Sequence, residues 1–292
     1  MGIQQFLGSL QRIARNPYID RVAAVRRHLD WQRRRALEDF PLELTLSESV
    51  LVATHGRCGV SALVNAHGLY DYNNMTLLKR LLMPGGVFID VGANVGAYTL
   101  VASEQPRATV LAFEPHPATF ALMIENLRRN SRSNVIPHCA AAGDRSDVVR
   151  ISDTPGSSTT HVVAGGDDAA IEVPMLRLDM ELEQRELTAD VIKIDVEGFE
   201  YEVLRGMGEQ LSRTAVVFVE VNGLSDRRGA GRDNIYALLR DAGLEGPYYY
   251  DARECRCRSA PVHDGEDPVF VNRSLVKRGL TPLDCSALGL AN

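Results

Sequence analysis

Asp195 and Glu197 stand one residue apart in the stretch DVIKIDVEGFEYEVLRGM, residues 190–207, at the mouth of a strand otherwise built from Val191, Ile192, Ile194 and Val196. A buried strand gains no stability from two acids and Gly198 at its end, so the stretch is read for chemistry. In extended geometry residues i and i+2 face one side. Two carboxylates held together and shielded raise each other's proton affinity. Such a pair suits a general base or a cradle for a divalent metal ion. The run VVFVEVNG repeats the theme, with Glu220 ending an apolar strand ahead of Asn222 and Gly223. Acids from two strands are therefore expected to converge on one cleft. The plainer roles, loop ordering and helix capping, remain open for Glu197 and Glu220.

A second constellation lies upstream. In VFIDVGANVGAYT a strand ends on Asp90, and Gly92, Asn94 and Gly96 alternate before a helix begins. Such a turn lets backbone approach a ligand closely and aims helix N–H groups at it. The spacing is D-x-G-x-N-x-G, not the G-x-G-x-x-G of dinucleotide sites. The next strand, TVLAFEP, ends on Glu114, 24 positions after Asp90. An acid at that tip is placed to accept two ribose hydroxyls and to reject a 2′-phosphate. The turn and Glu114 together point to an adenosine-type cofactor.

The elements that position these residues alternate. Strands 87–91, 109–113, 134–138, 190–195 and 215–221 are each followed by a helix or a less regular stretch, and strands at 244–250 and 268–273 complete the set. This order predicts an α/β fold with a mostly parallel sheet covered by helices on both faces. The segment NNMTLLKRLLMPGG predicts a helix capped by Asn73 or Asn74 and stopped at Pro84-Gly85-Gly86. Residues 1–40 are rich in arginine, and Val22, Val25, Leu29 and Ala36 recur near helical spacing, which predicts an amphipathic helix over 19–40 ended by Pro41. That gives an N-terminal arm, 1–40, and a domain, 41–292, with its motif core at 84–273. The arm is read as a solvated or subunit-packing helix and so as a route to a homo-oligomer.

The chain has 292 residues, 45% of them hydrophobic, and a net charge of −6. The balance argues against a broad nucleic-acid footprint. No apolar run reaches the roughly 18 residues that span a bilayer. The start lacks the pattern of a signal peptide. Five scattered cysteines in a long chain argue against a disulfide framework and for a reducing cytoplasm.

These residues resemble the FkbM family of S-adenosylmethionine-dependent methyltransferases. The matching pieces are VFIDVGANVGAYTL, LAFEPHPATFALMIENLRRN, AAAGD, IKIDVEGFEYEVLRGM and VVFVEVN, in order over roughly 70–273. The resemblance implies a class I methyltransferase (Rossmann-like) fold with a seven-stranded sheet whose last strand is antiparallel. It implies O-methylation of a hydroxyl on a sugar, glycolipid, polyketide or related natural product. Carried over residue by residue, Asp90, Gly92, Asn94 and Gly96 hold the methionine half of S-adenosylmethionine, and Tyr98 and Thr99 reach toward its carboxylate. Glu114 takes the ribose hydroxyls with Pro115 and His116 beside it. Ala141 and Ala142 line the adenine side, and Asp144 accepts from the adenine amino group. Asp195 faces the sulfonium and the acceptor, with Glu197 as its partner.

Competing chemistries are weaker. A divalent ion on Asp195 and Glu220, with Glu197 nearby, is the metal-assisted alternative. A base N-methyltransferase wants an N-P-P-Y-like turn where this chain has DVEG. A non-catalytic cofactor-binding protein is the third reading. The acceptor, a small molecule or glycan, is expected to meet the loops 153–169 and 223–233, where His161 and Arg227 or Arg228 read either as solvated surface residues or as polar contacts to it. His138 at a strand end reads as structural.

Overall fold

The computed structural model describes residues 3–153, 161–163, 170–221, 231–261, 266–278 and 285–290. The sequence expectations at Asn222, Gly223, Arg227 and Arg228 lie outside the described residues. Thirteen strands are described. They are Leu42–Leu46 (β1), Ser49–Ala53 (β2), Val87–Val91 (β3), Thr109–Phe113 (β4), Val135–His138 (β5), Ala141–Ala142 (β6), Asp147–Ser152 (β7), Ala170–Leu176 (β8), Val191–Ile194 (β9), Val216–Val219 (β10), Glu245–Asp251 (β11), Arg256–Arg258 (β12) and Val269–Val271 (β13).

The main sheet runs β12-β11-β13-β10-β9-β3-β4-β5. Its five strands from β10 to β5 are mutually parallel; β13 pairs antiparallel with β10, and β11 pairs antiparallel with β13. This is a Rossmann-like, class I methyltransferase arrangement. It has eight strands and not the expected seven. The additional strand is Arg-Cys-Arg from the ECRCR segment, which pairs along β11 from Tyr249 to Asp251. Three residues of alternating charged and apolar type give a period-2 signal too short to read as a strand beforehand.

The central strands are buried on both faces, as a sheet covered by helices requires. Successive residues divide between two cores. Phe88, Val110, Val191 and Val216 join one, while Ile89, Leu111, Ile192 and Val217 join the other. Strands β6, β7 and β8 form a separate small sheet beside this frame.

Two local expectations are corrected. The helix Tyr72–Leu81 is capped by Asp71, whose carboxylate accepts from the Asn74 amide, and not by Asn73 or Asn74. Both asparagines instead tie down the segment before β13, through Asn73 Nδ2 to Glu266 at 2.9 Å and Asn74 Nδ2 to the Asp267 carbonyl at 3.0 Å. In the N-terminal arm the second helix spans Arg21–Leu37, and its inward face is Ala24, His28 and Trp31. Val22 and Leu29, expected on the packing face, point outward at 63% and 49% exposure. Trp31 outweighs them: one large indole, buried against Phe40 edge-on at 5.2 Å, removes more apolar surface than the smaller side chains would. Among the described residues no helix is long and apolar enough to cross a membrane.

Candidate active site

Register places the site. Val91 pairs with Phe113 on one side and with Ile194 on the other, and Ile194 pairs with Val219. Four parallel strands therefore end flush, and the next residue of each forms a row along the carboxyl edge of the sheet: Glu114, Gly92, Asp195, Glu220. Ligands of open α/β sheets bind outside this edge. A cleft of ≈ 840 Å³, counting its open mouth, lies there. Gly92, Asn94, Tyr98, Glu114, Pro115, Ala141, Ala142, Asp195 and Glu197 all line it. Asp90, Gly96, Thr99, His116, Asp144 and Glu220 are absent from its lining.

The glycine turn and Glu114 are one hydrogen-bonded unit. One Glu114 oxygen accepts from the Asn94 amide at 2.9 Å and the other from the His116 amide at 2.9 Å. Gly92 and Ala93 give their amides to the Phe113 carbonyl, and the Val95 amide goes to the Asn94 side chain at 2.9 Å. The turn's N–H groups are thus largely spent on holding its own shape and not aimed outward. Asn94 takes a left-handed backbone, φ 51°, which asparagine tolerates. Burial pushes the Glu114 carboxyl up to about 7, against the pull of its two backbone donors.

Asp90 and Thr99 lie beneath the cleft floor. Both are fully buried, and the Thr99 hydroxyl donates to Asp90 at 2.6 Å. Gly96 packs on the next helix, where a Cβ would meet Met123 Cγ at 2.9 Å. His116 turns its ring toward Asp153, 3.2 Å away, and Asp144 pairs with Arg205 at 3.2 Å. His138 stacks on Phe113 at 4.4 Å, in keeping with a structural role. Tyr98 donates its phenol to Asp71 at 2.8 Å.

At the other end of the row the acids converge. Asp195, Glu197 and Glu220 each offer an oxygen, and these atoms lie within 4.8 Å of one another. The route differs from the expected one. Strand geometry stops at Ile194, and Glu197 takes a left-handed φ of 52°. A turn, not an extended i, i+2 pair, brings Glu197 to Asp195. Glu200 orders that turn: its buried carboxylate accepts from the Gly198 amide at 2.8 Å and the Val196 amide at 3.4 Å. Burial, then the charge and hydrogen bond of Asp195, push the Glu220 carboxyl up to about 10. That shift favours the protonated form of Glu220 at neutral pH.

Three residues that sequence reasoning missed complete the site. Glu200 is one. Lys193 is the second: it lines the cleft, with Asp195 Oδ2 at 3.4 Å and Asp90 Oδ1 at 3.6 Å. A lysine inside a four-residue apolar strand was the available signal, since a buried charge requires a partner. Tyr70 is the third, a cleft-lining phenol whose pKa rises well above its usual value through burial and the charges of Asp195 and Asp267. Nothing in its local sequence marks it. His161 also lines the cleft.

The described site matches known sequences where its chemistry is concentrated. The family model for the methyltransferase FkbM domain matches residues 90–245. The chain is 32% identical over 160 residues to hexuronic acid methyltransferase AglP of Haloferax volcanii, covering 54% of this chain and 63% of that protein. It is 31% identical over 197 residues to 31-O-demethyl-FK506 methyltransferase FkbM of Streptomyces tacrolimicus, covering 56% of this chain and 74% of that protein. Methyltransferase sdnD of Sordaria araneosa is 28% identical over 202 residues, with 56% and 75% covered. The chain thus spans only part of these relatives' length. Tyr70, Asp71 and Asp267 fall outside the family match, whereas the glycine turn, Glu114, Lys193, Asp195 and Glu220 fall inside it. The chain belongs to the family of the methyltransferase FkbM domain.

Proposed function

We propose that the protein transfers a methyl group from S-adenosylmethionine to a hydroxyl of a sugar, glycolipid, polyketide or related natural product. The observation that carries this reading is the flush row Glu114, Gly92, Asp195, Glu220 along one cleft. The residues present fit the cofactor. Glu114, already fixed by two backbone amides, keeps lone pairs for ribose hydroxyls. Ala140, Ala141 and Ala142 with Phe113 give a small, apolar wall suited to adenine. Gly92 allows the turn to come close, and Asn94 and Tyr98 line the methionine end. Asp90, Gly96, Thr99 and His116 support these residues from behind, and Asp144 stands beyond the adenine wall. When bound, the cofactor supplies an electrophilic methyl on a sulfonium.

Asp195 then has two tasks. It orients the acceptor hydroxyl in line with the methyl and takes its proton as the new bond forms. Glu220 shares a proton with it and Glu197 flanks it, so the group poised to receive the hydroxyl proton belongs to a coupled set. Tyr70, held as a neutral phenol, is placed to donate to the acceptor oxygen. AglP is named for a hexuronic acid and FkbM for a demethylated FK506, which supports a sugar or natural-product hydroxyl here. Incubation with isotope-labelled S-adenosylmethionine and an acceptor panel of glycans and hydroxylated natural products tests the reading. Labelled methyl ethers are expected. Cofactor binding with no transfer to any hydroxyl would refute it.

A second reading rests on the same three acids. A divalent ion held by Asp195, Glu197 and Glu220 would displace the shared proton and activate the acceptor oxygen as a Lewis acid. Turnover that survives exhaustive chelation supports the proton reading. Turnover lost to chelation and restored by manganese or magnesium supports the metal.

We also propose that residues 1–40 act as an arm on the 41–292 domain and mediate self-association. The outward Val22, Leu29 and Leu37 support this. Light scattering of the protein and of its V22E/L29E variant tests it. A dimer that becomes a monomer is expected, and a monomeric wild type refutes it.

A further inference from the structure

Lys193 occupies an unusual position for a lysine. It is the third of four residues in β9, flanked by β3 and β10, and is 6% exposed. A charge taken out of water needs partners, and the carboxylates of Asp195 and Asp90 both face the Lys193 ammonium. It has three donors to place.

The first donor reaches backbone. Nζ donates to the Gly92 carbonyl at 2.9 Å. The others face carboxylates, Asp195 Oδ2 at 3.4 Å and Asp90 Oδ1 at 3.6 Å. Asp90 Oδ1 has no hydrogen bond among the described residues, so Lys193 is its nearest compensation. The ammonium also lies over the Tyr98 ring, 5.5 Å from its centroid, where the π face attracts a cation. Every group it touches belongs to the cofactor turn, the helix that turn starts, or the strand end that carries Asp195.

The carbonyl contact is the informative one. A lysine present only to neutralise Asp90 and Asp195 would need no backbone partner. Gly92 sits in a left-handed conformation, φ 78°, and a Cβ on it would lie 1.9 Å from the Asp195 carbonyl oxygen. The turn is thus pressed on the end of β9. A side-chain hydrogen bond from Lys193 spans that junction, charge-assisted and shielded from water.

We propose that Lys193 is a positioning residue of the cofactor site, latching the glycine turn to the Asp195 strand end through the Gly92 carbonyl. The inference rests on the reading of the cleft as an S-adenosylmethionine site. It assigns to the middle of β9 a task that neither the turn nor the acids perform alone. The shape of the turn is set by glycines and Glu114; its place over Asp195 is set by a buried ammonium.

The test is calorimetry with S-adenosylhomocysteine, which needs no acceptor. Binding by the wild-type protein is the baseline, and its absence would overturn the cofactor reading itself and not the latch. Lys193→Met keeps the length and apolar stem and removes the donor. It is expected to weaken binding about tenfold or more, the usual worth of a hydrogen bond to a charged group. Because the variant leaves Asp90 and Asp195 without their cation, its melting temperature is also expected to fall. Asp90→Asn/Lys193→Met removes one of those carboxylates. Its melting temperature is expected to recover toward that of Asp90→Asn alone, while its affinity remains about tenfold below that single variant. Two results overturn the latch. One is a folded Lys193→Met protein that binds within about twofold of wild type. The other is a double variant that regains the affinity of Asp90→Asn together with its stability, which would reduce Lys193 to charge balance.

Discussion

Gly92 and Asp195 come from different strands, yet their backbones meet so closely that a Cβ on Gly92 would stand 1.9 Å from the Asp195 carbonyl oxygen. The cofactor turn and the proposed base are therefore in direct contact through main chain. Gly92→Ala must move one of them, and its left-handed backbone alone costs about 1–3 kcal/mol for a non-glycine residue. The variant is expected to melt lower and to lose S-adenosylhomocysteine binding by calorimetry. Wild-type affinity in Gly92→Ala would show that the junction yields freely.

Glu114 predicts a pH dependence of cofactor binding. Its carboxyl is pushed up to about 7 by burial. Below that pH it takes a proton and loses acceptor capacity toward ribose hydroxyls. Affinity for S-adenosylhomocysteine should therefore fall as pH drops from about 8 to about 6. Glu114→Gln should bind about tenfold more weakly at pH 8 and lose the slope. An unchanged slope in the variant would assign the titration to another group.

Glu220 predicts a pH dependence of stability, with a defined sign. Its carboxyl rises from the ordinary 4.5 to about 10 in the folded protein. The native state keeps a proton that the unfolded chain has released, so this contribution is complete below about pH 4.5 and is lost as pH climbs toward about 10. Glu114 and Asp190, at about 7 and about 6, act in the same direction over a lower window. The melting temperature, measured in chelator, should decline from pH 8 to about pH 10, and Glu220→Gln should flatten that decline. A decline identical in both proteins would contradict the shared proton.

Tyr70 predicts a split between kinetic constants. Tyr70→Phe removes a cleft-lining donor that the proposed reading assigns to the acceptor side, and leaves the cofactor turn's own residues unchanged. The KM for the acceptor should rise, or kcat fall, by about tenfold, with affinity for S-adenosylhomocysteine unchanged. Equal loss of cofactor affinity would place Tyr70 in the scaffold.

Much of this site was legible in the chain. Alternating strands and helices gave the layers, and Asp90, Gly92, Asn94, Glu114 and Asp195 announced themselves because glycines and acids interrupt apolar strands at their ends. What stayed hidden depends on register and on distance in three dimensions. The flush ends of β3, β4, β9 and β10 set the row, and no local pattern reports how four strands align. Glu200 orders the DVEG turn through two amides, a partnership visible only once Gly198 takes its positive φ. Tyr70 enters from a segment outside the family match. Trp31 inverted the expected face of the arm helix because burial area, not apolar spacing, decided which side packs. Lys193 was the legible residue left unread: a charge inside VIKI had to meet its partners within the fold.

The most direct test of the account is the Asp195→Asn variant, taken through two assays in parallel. Calorimetry with S-adenosylhomocysteine should give wild-type affinity within about threefold, because in the proposed reading Asp195 faces the acceptor while the turn and Glu114 hold the cofactor. Methyl transfer from labelled S-adenosylmethionine to an accepted hydroxyl compound should fall by at least about a hundredfold, the usual worth of a positioned base. Turnover at the wild-type rate in Asp195→Asn would contradict it.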